Sequence, residues 1–157
     1  MMLFLVDGML GNVAKKLRLL GYDAEYFSNI DDLKLVQKAK NEDRIIISKD
    51  RHLIASAKKF SLQSIHITKE DEVEQFLEIL NAIHLELNEI SGDTARCTKC
   101  NSPTSQISKS KISNKIPSRV LEFNEKFWEC DSCNQIYWEG THIKKLQDFL
   151  NEIKMRS

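Results

Sequence analysis

No stretch of this chain approaches the ~20 consecutive apolar residues that a membrane-spanning helix requires, although 41% of its 157 residues are hydrophobic. The opening residues 1–10 carry no basic flank, are too short for the apolar part of a signal sequence, and contain Asp7. The expectation is a cytoplasmic protein with no membrane partner. Cysteine is absent until residue 97, and without an export signal the four cysteines that follow are not expected to form disulfides. Net charge is lacking too, with 23 Lys+Arg against 23 Asp+Glu. That zero conceals a division: residues 1–90 hold 12 basic and 15 acidic side chains, residues 91–157 hold 11 and 8. Between Thr94 and Leu121 there is no acid at all, against six basic residues (Arg96, Lys99, Lys109, Lys111, Lys115 and Arg119).

What the second half does have is Cys97-Thr98-Lys99-Cys100 and Cys130-Asp131-Ser132-Cys133. Each knuckle presents two thiolates on one face of a tight turn, and two knuckles supply the tetrahedral sulfur set of a structural zinc site. A redox site would need one such pair at a strand-to-helix junction, not two matched pairs. Cys97, Cys100, Cys130 and Cys133 are therefore assigned to Zn²⁺, in a zinc ribbon over residues 94–140. The 29 residues between the knuckles are expected to form a long hairpin. Metal alone does not fix a role, because ribbons stabilise folds, clamp nucleic acid and dock proteins alike.

Alternation organises residues 1–90. Residues 3–6, 24–27, 44–48 and 64–67 read as strands, and Ile45-Ile46-Ile47 marks one covered on both faces, as in a parallel sheet. Leu10, Val13, Ala14, Leu17 and Leu20 form one face of a helix closed by Gly21; Leu33, Val36 and Ala39 mark a second, and residues 50–59 a third. Thr68-Lys69-Glu70-Asp71 has the form of a capping box opening a fourth helix with Val73, Phe76, Leu77, Leu80 and Ile83 inward. Right-handed crossovers then predict an α/β fold, a three-layer α/β/α sandwich with a parallel sheet. After the ribbon, Ile143, Leu146, Phe149, Leu150 and Ile153 predict an amphipathic C-terminal helix over 141–157 that docks on one of the domains.

Asp7, the Asp31–Asp32 pair and Asp50 each fall just after a predicted strand and just where a helix begins. Such positions converge at the carboxyl edge of an open parallel sheet, where these folds bind ligands. Crowded carboxylates raise one another's pKa unless a cation lies between them, and hard oxygen ligands suit Mg²⁺ or Mn²⁺ with phosphate completing the coordination. A local explanation competes, since an aspartate before a helix commonly caps it or serves its dipole. Asp50, Asp31 and Asp32 could do only that; Asp7, ending an apolar strand ahead of Gly8, fits it less well. Lys15, Lys16 and Arg18 would either steer a phosphate backbone toward this edge or form a solvated helix face. Lys109 and Lys111, expected on one side of a strand, combine with Trp128, Tyr137 and Trp138 into a nucleic-acid face, or equally into a solvated hairpin with aromatics on the zinc core.

Longer segments carry a resemblance. Phe4-Leu5-Val6-Asp7-Gly8-Met9-Leu10-Gly11 with Lys16-Leu17-Arg18-Leu19-Leu20-Gly21-Tyr22-Asp23, then Arg44-Ile45-Ile46-Ile47-Ser48-Lys49-Asp50-Arg51-His52-Leu53, resemble the PIN-like ribonuclease family known as the Mut-seven carboxy-terminal RNase domain. The two knuckles, followed by Tyr137-Trp138-Glu139-Gly140-Thr141-His142, are similar to its appended zinc ribbon. The resemblance runs in consistent order from about residue 3 to 146 and implies a PIN-like fold whose acidic residues bind divalent metal and hydrolyse RNA. By position Asp7 is the first acid, Asp32 the helical one with Asp31 as adjacent candidate, and Asp50 the last; Ser48 and Lys49 stand where the family has Thr and Arg. The function expected is a metal-dependent ribonuclease. In it Asp7, Asp32 and Asp50 hold Mg²⁺ or Mn²⁺, Ser48 holds Asp50 or a phosphate oxygen, and Lys15, Lys16, Arg18, Lys49, Arg51, Lys109 and Lys111 contact RNA. Two rivals remain: a non-catalytic RNA-binding or ribosome-associated zinc-ribbon protein, with rRNA its partner by analogy alone, and an adaptor whose basic hairpin meets an acidic protein. Convergence of the aspartates, rather than each capping its own helix, separates the nuclease from both.

Overall fold

The computed structural model describes residues 2–87 and 89–156. Strands β1 (Leu3–Asp7), β2 (Asp23–Phe27), β3 (Ile45–Ser48) and β4 (Ser64–His66) form one parallel sheet in the order β2-β1-β3-β4. The helices α1 (Gly11–Leu19), α2 (Asp32–Glu42) and α3 (Arg51–Lys59) are the crossovers, and α4 (Glu72–Ala82) follows the last strand. Because side chains alternate across a strand, Phe4, Val6, Ile45, Ile47 and Ile65 face one way, into a core with Val13, Leu17 and Phe76. Leu5 and Ile46 face the other way, onto Leu35, Val36, Leu53 and Ile54 of α2 and α3. The predicted three layers are present. No helix among the described residues is long and apolar enough to cross a membrane.

The C-terminal helix α6 (Thr141–Arg156) returns from the ribbon to this first core, where Leu146, Leu150 and Ile153 are buried. Phe149 meets Phe76 of α4 edge-on at 5.6 Å between ring centroids. Gly21, φ +96°, ends α1 in the left-handed region, with the Gly21 and Tyr22 N–H groups returning to the Arg18 and Leu17 carbonyls. A Cβ there would also stand 3.0 Å from the Thr94 carbonyl oxygen.

Two local expectations change. Thr68 does not open α4: Asp71 is its N-cap and accepts from the Glu74 N–H, while Thr68 donates its N–H and hydroxyl to Glu78. A carboxylate nearly two turns into the helix, Glu78, competes for Thr68, and the nearer Asp71 takes the cap. The ribbon sheet, β5 (Thr104–Ile107), β6 (Phe127–Cys130) and β7 (Ile136–Trp138), is antiparallel, but no long hairpin joins β5 to β6. The connection coils into a single 3₁₀ turn, Lys109–Lys111, and a short helix α5 (Ser118–Phe123). Ile112 is thereby buried against Phe127 and Ile136, an anchor that an extended ladder over the same residues would give up.

Candidate functional site

Asp7 ends β1, and its carboxylate is held at both oxygens: Oδ1 accepts from the Met9 N–H at 3.2 Å and Oδ2 from the Ser48 hydroxyl at 2.7 Å. Ser48 is fully buried at the end of β3, and its Oγ in turn accepts from the Asp50 N–H at 3.0 Å. Asp50 caps α3 by accepting from the His52 N–H at 2.8 Å. Gly8 makes the turn after Asp7 possible, because a Cβ would lie 2.6 Å from the Phe27 carbonyl oxygen. One buried hydroxyl thus ties the ends of adjacent strands β1 and β3 together. Ser48 was expected to hold Asp50 or a phosphate; it donates to Asp7 instead and receives the Asp50 backbone.

Asp32 occupies the first turn of α2, whose N-cap position is Asp31. Asp31 makes no capping hydrogen bond, unlike Asp7, Asp50 and Asp71 at their own helix starts. Partial burial first, then the charges of Asp50, Asp31 and Asp7, hold the Asp32 carboxyl above its ordinary pKa, with His52 pulling the other way. The four aspartates therefore share one field at the carboxyl edge of the sheet. Hard oxygen donors under mutual repulsion fit a divalent cation in chemistry. They do not sit at ligand spacing: among the described residues, the one group of three or more candidate ligands close enough to share an ion is the cysteine set.

The basic residues divide. Arg18 belongs to no phosphate-steering surface: at 4% exposure, it donates from Nε to the Ala24 carbonyl and from Nη1 to the Thr98 carbonyl, each at 2.7 Å. The α1 stripe of Leu10, Val13, Ala14 and Leu17 points Arg18 toward β2 and the ribbon, and burial lowers its pKa. Lys16 pairs with Glu72 at 3.0 Å and lies over the Phe149 ring; Lys49 pairs with Glu70 at 2.8 Å. Lys15 and Arg51 are exposed, with no ion pair among the described residues. Lys109 and Lys111 are not on a strand; they sit in the 3₁₀ turn, Lys109 against Glu125 at 3.2 Å and Lys111 exposed.

In the ribbon the Sγ atoms of Cys97, Cys100, Cys130 and Cys133 all lie within 4.8 Å of one another. Each knuckle closes on an asparagine in the left-handed region, Asn101 at φ 70° and Asn134 at φ 63°, whose N–H returns to the carbonyl of the first cysteine. Asparagine tolerates that conformation where most residues do not. Thiols so close titrate against one another. Hydrogen bonding to Ser102 leads in drawing Cys100 down to about 6. Against a backbone hydrogen bond from Gln135, desolvation and the neighbouring thiols push Cys133 up to about 12. A cation among them relieves that conflict, so the donor set fits Zn²⁺.

The first knuckle is also bonded into the α/β layers, a link missed at the sequence level. Asn101 accepts from the Ala24 N–H at 3.0 Å and donates to Asp23 at 2.6 Å. Asp23 also takes Arg44 at 2.8 Å, with Arg96 at 3.6 Å. The available signal was two charges, Asp23 and Arg44, at the starts of β2 and β3, the strands that flank β1, where they must find partners.

Comparison with curated proteins and with solved structures finds no match. The model of the Mut7-C RNAse domain matches residues 2–150, spanning the aspartates, both knuckles and most of α6. With nearly all of its length covered, the chain belongs to the Mut7-C RNAse domain family, whose name points to a nuclease-type hydrolase with RNA as its substrate.

Proposed function

We propose that this chain is a divalent-metal-dependent ribonuclease that hydrolyses RNA phosphodiester bonds at the carboxyl edge of its parallel sheet. The observation that carries the reading is the Asp7–Ser48–Asp50 chain of hydrogen bonds set beside Asp32, whose carboxyl is raised in part by Asp50, Asp31 and Asp7. Asp7, Asp32 and Asp50 would hold Mg²⁺ or Mn²⁺, with the uncapped Asp31 adjacent. When bound, such a cation lowers the pKa of a water, polarises the P–O bond and stabilises the leaving oxygen. The chain's own residues set the stage. Ser48 fixes the Asp7 carboxylate, the α3 cap fixes Asp50, and Arg51 offers an exposed cation beside Asp50 for the RNA backbone. The cysteine cluster holds structural zinc, and the ribbon contributes RNA affinity rather than chemistry. Nothing in this arrangement reads base sequence.

The test is cleavage of single-stranded RNA with Mg²⁺ or Mn²⁺. Asp7→Asn and Asp50→Asn should each abolish it while preserving fold and RNA affinity, because each removes ligand charge without removing volume. Asp71→Asn, at the cap of α4 where the carboxylate pairs with Arg156, should cleave as wild type does, and that contrast excludes a contaminating nuclease, which would ignore all three substitutions. Equal rates for wild type and Asp7→Asn would sink the reading. A second reading, RNA binding without cleavage, draws support from the wider separation of the aspartates relative to the thiols. It would lead if neither cation supports cleavage but affinity for RNA persists and falls with salt.

A further inference from the structure

A groove of about 630 Å³ lies where α1, the ribbon and the start of α6 meet. Lys15 and Leu19 line it from α1, Tyr137 and Trp138 from β7, and Thr141 and His142 from α6. Half-buried Tyr137 and Trp138 and aliphatic side chains line it together with the Lys15 ammonium and the His142 imidazole, and no Asp or Glu does. Lys15 and His142 are exposed, and neither has a hydrogen bond or ion pair among the described residues. The first turn of α6 contains no acidic residue to neutralise it. The nearby segment 94–121 supplies basic residues and no acid.

That combination matches a single strand of nucleic acid. Unpaired bases stack on accessible aromatic faces without regard to sequence, and their phosphates take a free ammonium and imidazole N–H donors. The position suits a strand that also reaches the aspartates. Helix α1 begins just beyond Asp7, and at ~1.5 Å of rise per residue Lys15 and Leu19 lie about 6 and about 12 Å beyond its first residue. A strand lying along α1 would pass from the aspartate edge into the groove. We infer that this groove is a subsite for single-stranded RNA flanking the scissile phosphate, holding unpaired nucleotides by stacking on Trp138 and by phosphate contacts to Lys15 and His142. The inference rests on the ribonuclease reading above, and it sets the RNA-holding surface of the ribbon on β7 and α6 instead of the Lys109–Lys111 turn.

The experiment uses the full chain with its zinc, carrying Asp7→Asn so that RNA survives, titrated with an oligouridylate of about eight nucleotides. RNA should change Trp138 fluorescence. Lys15→Glu and His142→Glu should each weaken binding about tenfold, with the difference shrinking at high salt. Lys58→Glu, exposed in α3 on the opposite face of the sheet, should bind as the parent does. Lys15→Glu and His142→Glu variants that bind as tightly as Lys58→Glu overturn the subsite. So does a fluorescence change produced by an acidic peptide of equal charge and not by RNA, which would make the groove a protein-docking site. The two failures stay distinct. Equal cleavage by wild type and Asp7→Asn removes the ribonuclease reading, whereas unaltered affinity in the Lys15→Glu and His142→Glu variants removes the groove alone.

Discussion

The two ligand sets of this protein are built by opposite means. In the ribbon, two short turns, each locked by an asparagine at positive φ, bring four sulfurs within 4.8 Å of one another. At the sheet edge, the aspartates come from three separate strand-to-helix junctions, and each is placed by its own junction. Backbone geometry brings the first set within reach of a single ion. In the second, the Ser48 hydroxyl links Asp7 to the Asp50 backbone alone, and Asp31 and Asp32 stand outside that link. A closed tetrahedral set of soft ligands suits a permanent structural ion. An open, repelling set of hard ones suits a cation that arrives with its substrate.

The largest effect should follow from removing zinc, by chelation or by Cys130→Ser. Structural zinc contributes on the order of 10 kcal/mol to small metal-held folds, comparable with the whole stability of a typical domain. The damage should not stop at residue 94. Arg18 bonds the Thr98 carbonyl, and Asn101 bonds both Ala24 and Asp23, so β2 and the end of α1 are held in part by the first knuckle. Amide exchange should therefore lose protection in β2 as well as in β5–β7. Loss confined to 94–140 would show the ribbon to be a separable appendage.

Next comes the junction itself. Partial burial raises the Asp23 pKa, but hydrogen bonds from Arg44 and Asn101 outweigh it and leave the carboxyl below its ordinary value. Asp23→Ala removes one of the three carboxylates around the buried Arg44 guanidinium, leaving Glu42 and Glu25, and the lost charged hydrogen bond should cost about 1.5–3 kcal/mol, read as a lower urea midpoint at unchanged slope. The sign with pH follows from linkage. A carboxylate whose folded pKa is depressed contributes stability that is fully present above its unfolded value of about 3.9. That contribution is lost as the pH falls through the lower folded value. Wild type and Asp23→Ala should thus differ at pH 7 and converge in strong acid.

How legible all this was in the sequence depended on whether a feature is local. The sheet, its crossovers and the α6 stripe came through because apolar period and strand length decide them: Ile45-Ile46-Ile47 could hardly be anything but a strand covered on both faces. The cysteine cluster came through because its spacing carries its geometry. The basic side chains did not. Arg18 and Lys15 look alike on a helical wheel's polar side, yet one is buried under the ribbon and the other lines a groove, a distinction that only the packing of residues some 80 positions apart creates. The segment 108–126 failed for a related reason, since Ile112 is drawn into a core that the local pattern does not show.

A smaller effect sharpens the aspartate side. A cation that binds the folded edge raises stability by mass action, about 2.7 kcal/mol at one hundred times its dissociation constant. Saturating Mg²⁺ should therefore raise the melting temperature of the zinc-loaded wild type by several degrees. Asp7→Asn and Asp32→Asn should remove most of that rise. An equal rise in all three would place the cation elsewhere.

The smallest prediction asks what capping alone is worth. Asp50 and Asp71 both accept a hydrogen bond from the first turn of their helices, so loss of the cap should cost each about 1 kcal/mol. Asp71→Ala should show that cost and nothing more, because its remaining partner is Arg156 at 3.7 Å, an exposed pair of small value. The Mg²⁺-induced rise in melting temperature should survive in Asp71→Ala unchanged. In Asp50→Ala the same local cost should appear together with loss of that rise, since its carboxylate faces the shared field at Asp32 as well as its own helix. Were the two variants indistinguishable with and without Mg²⁺, Asp50 would be a cap and nothing else, and the sheet edge would lose one of the three carboxylates on which its chemistry depends.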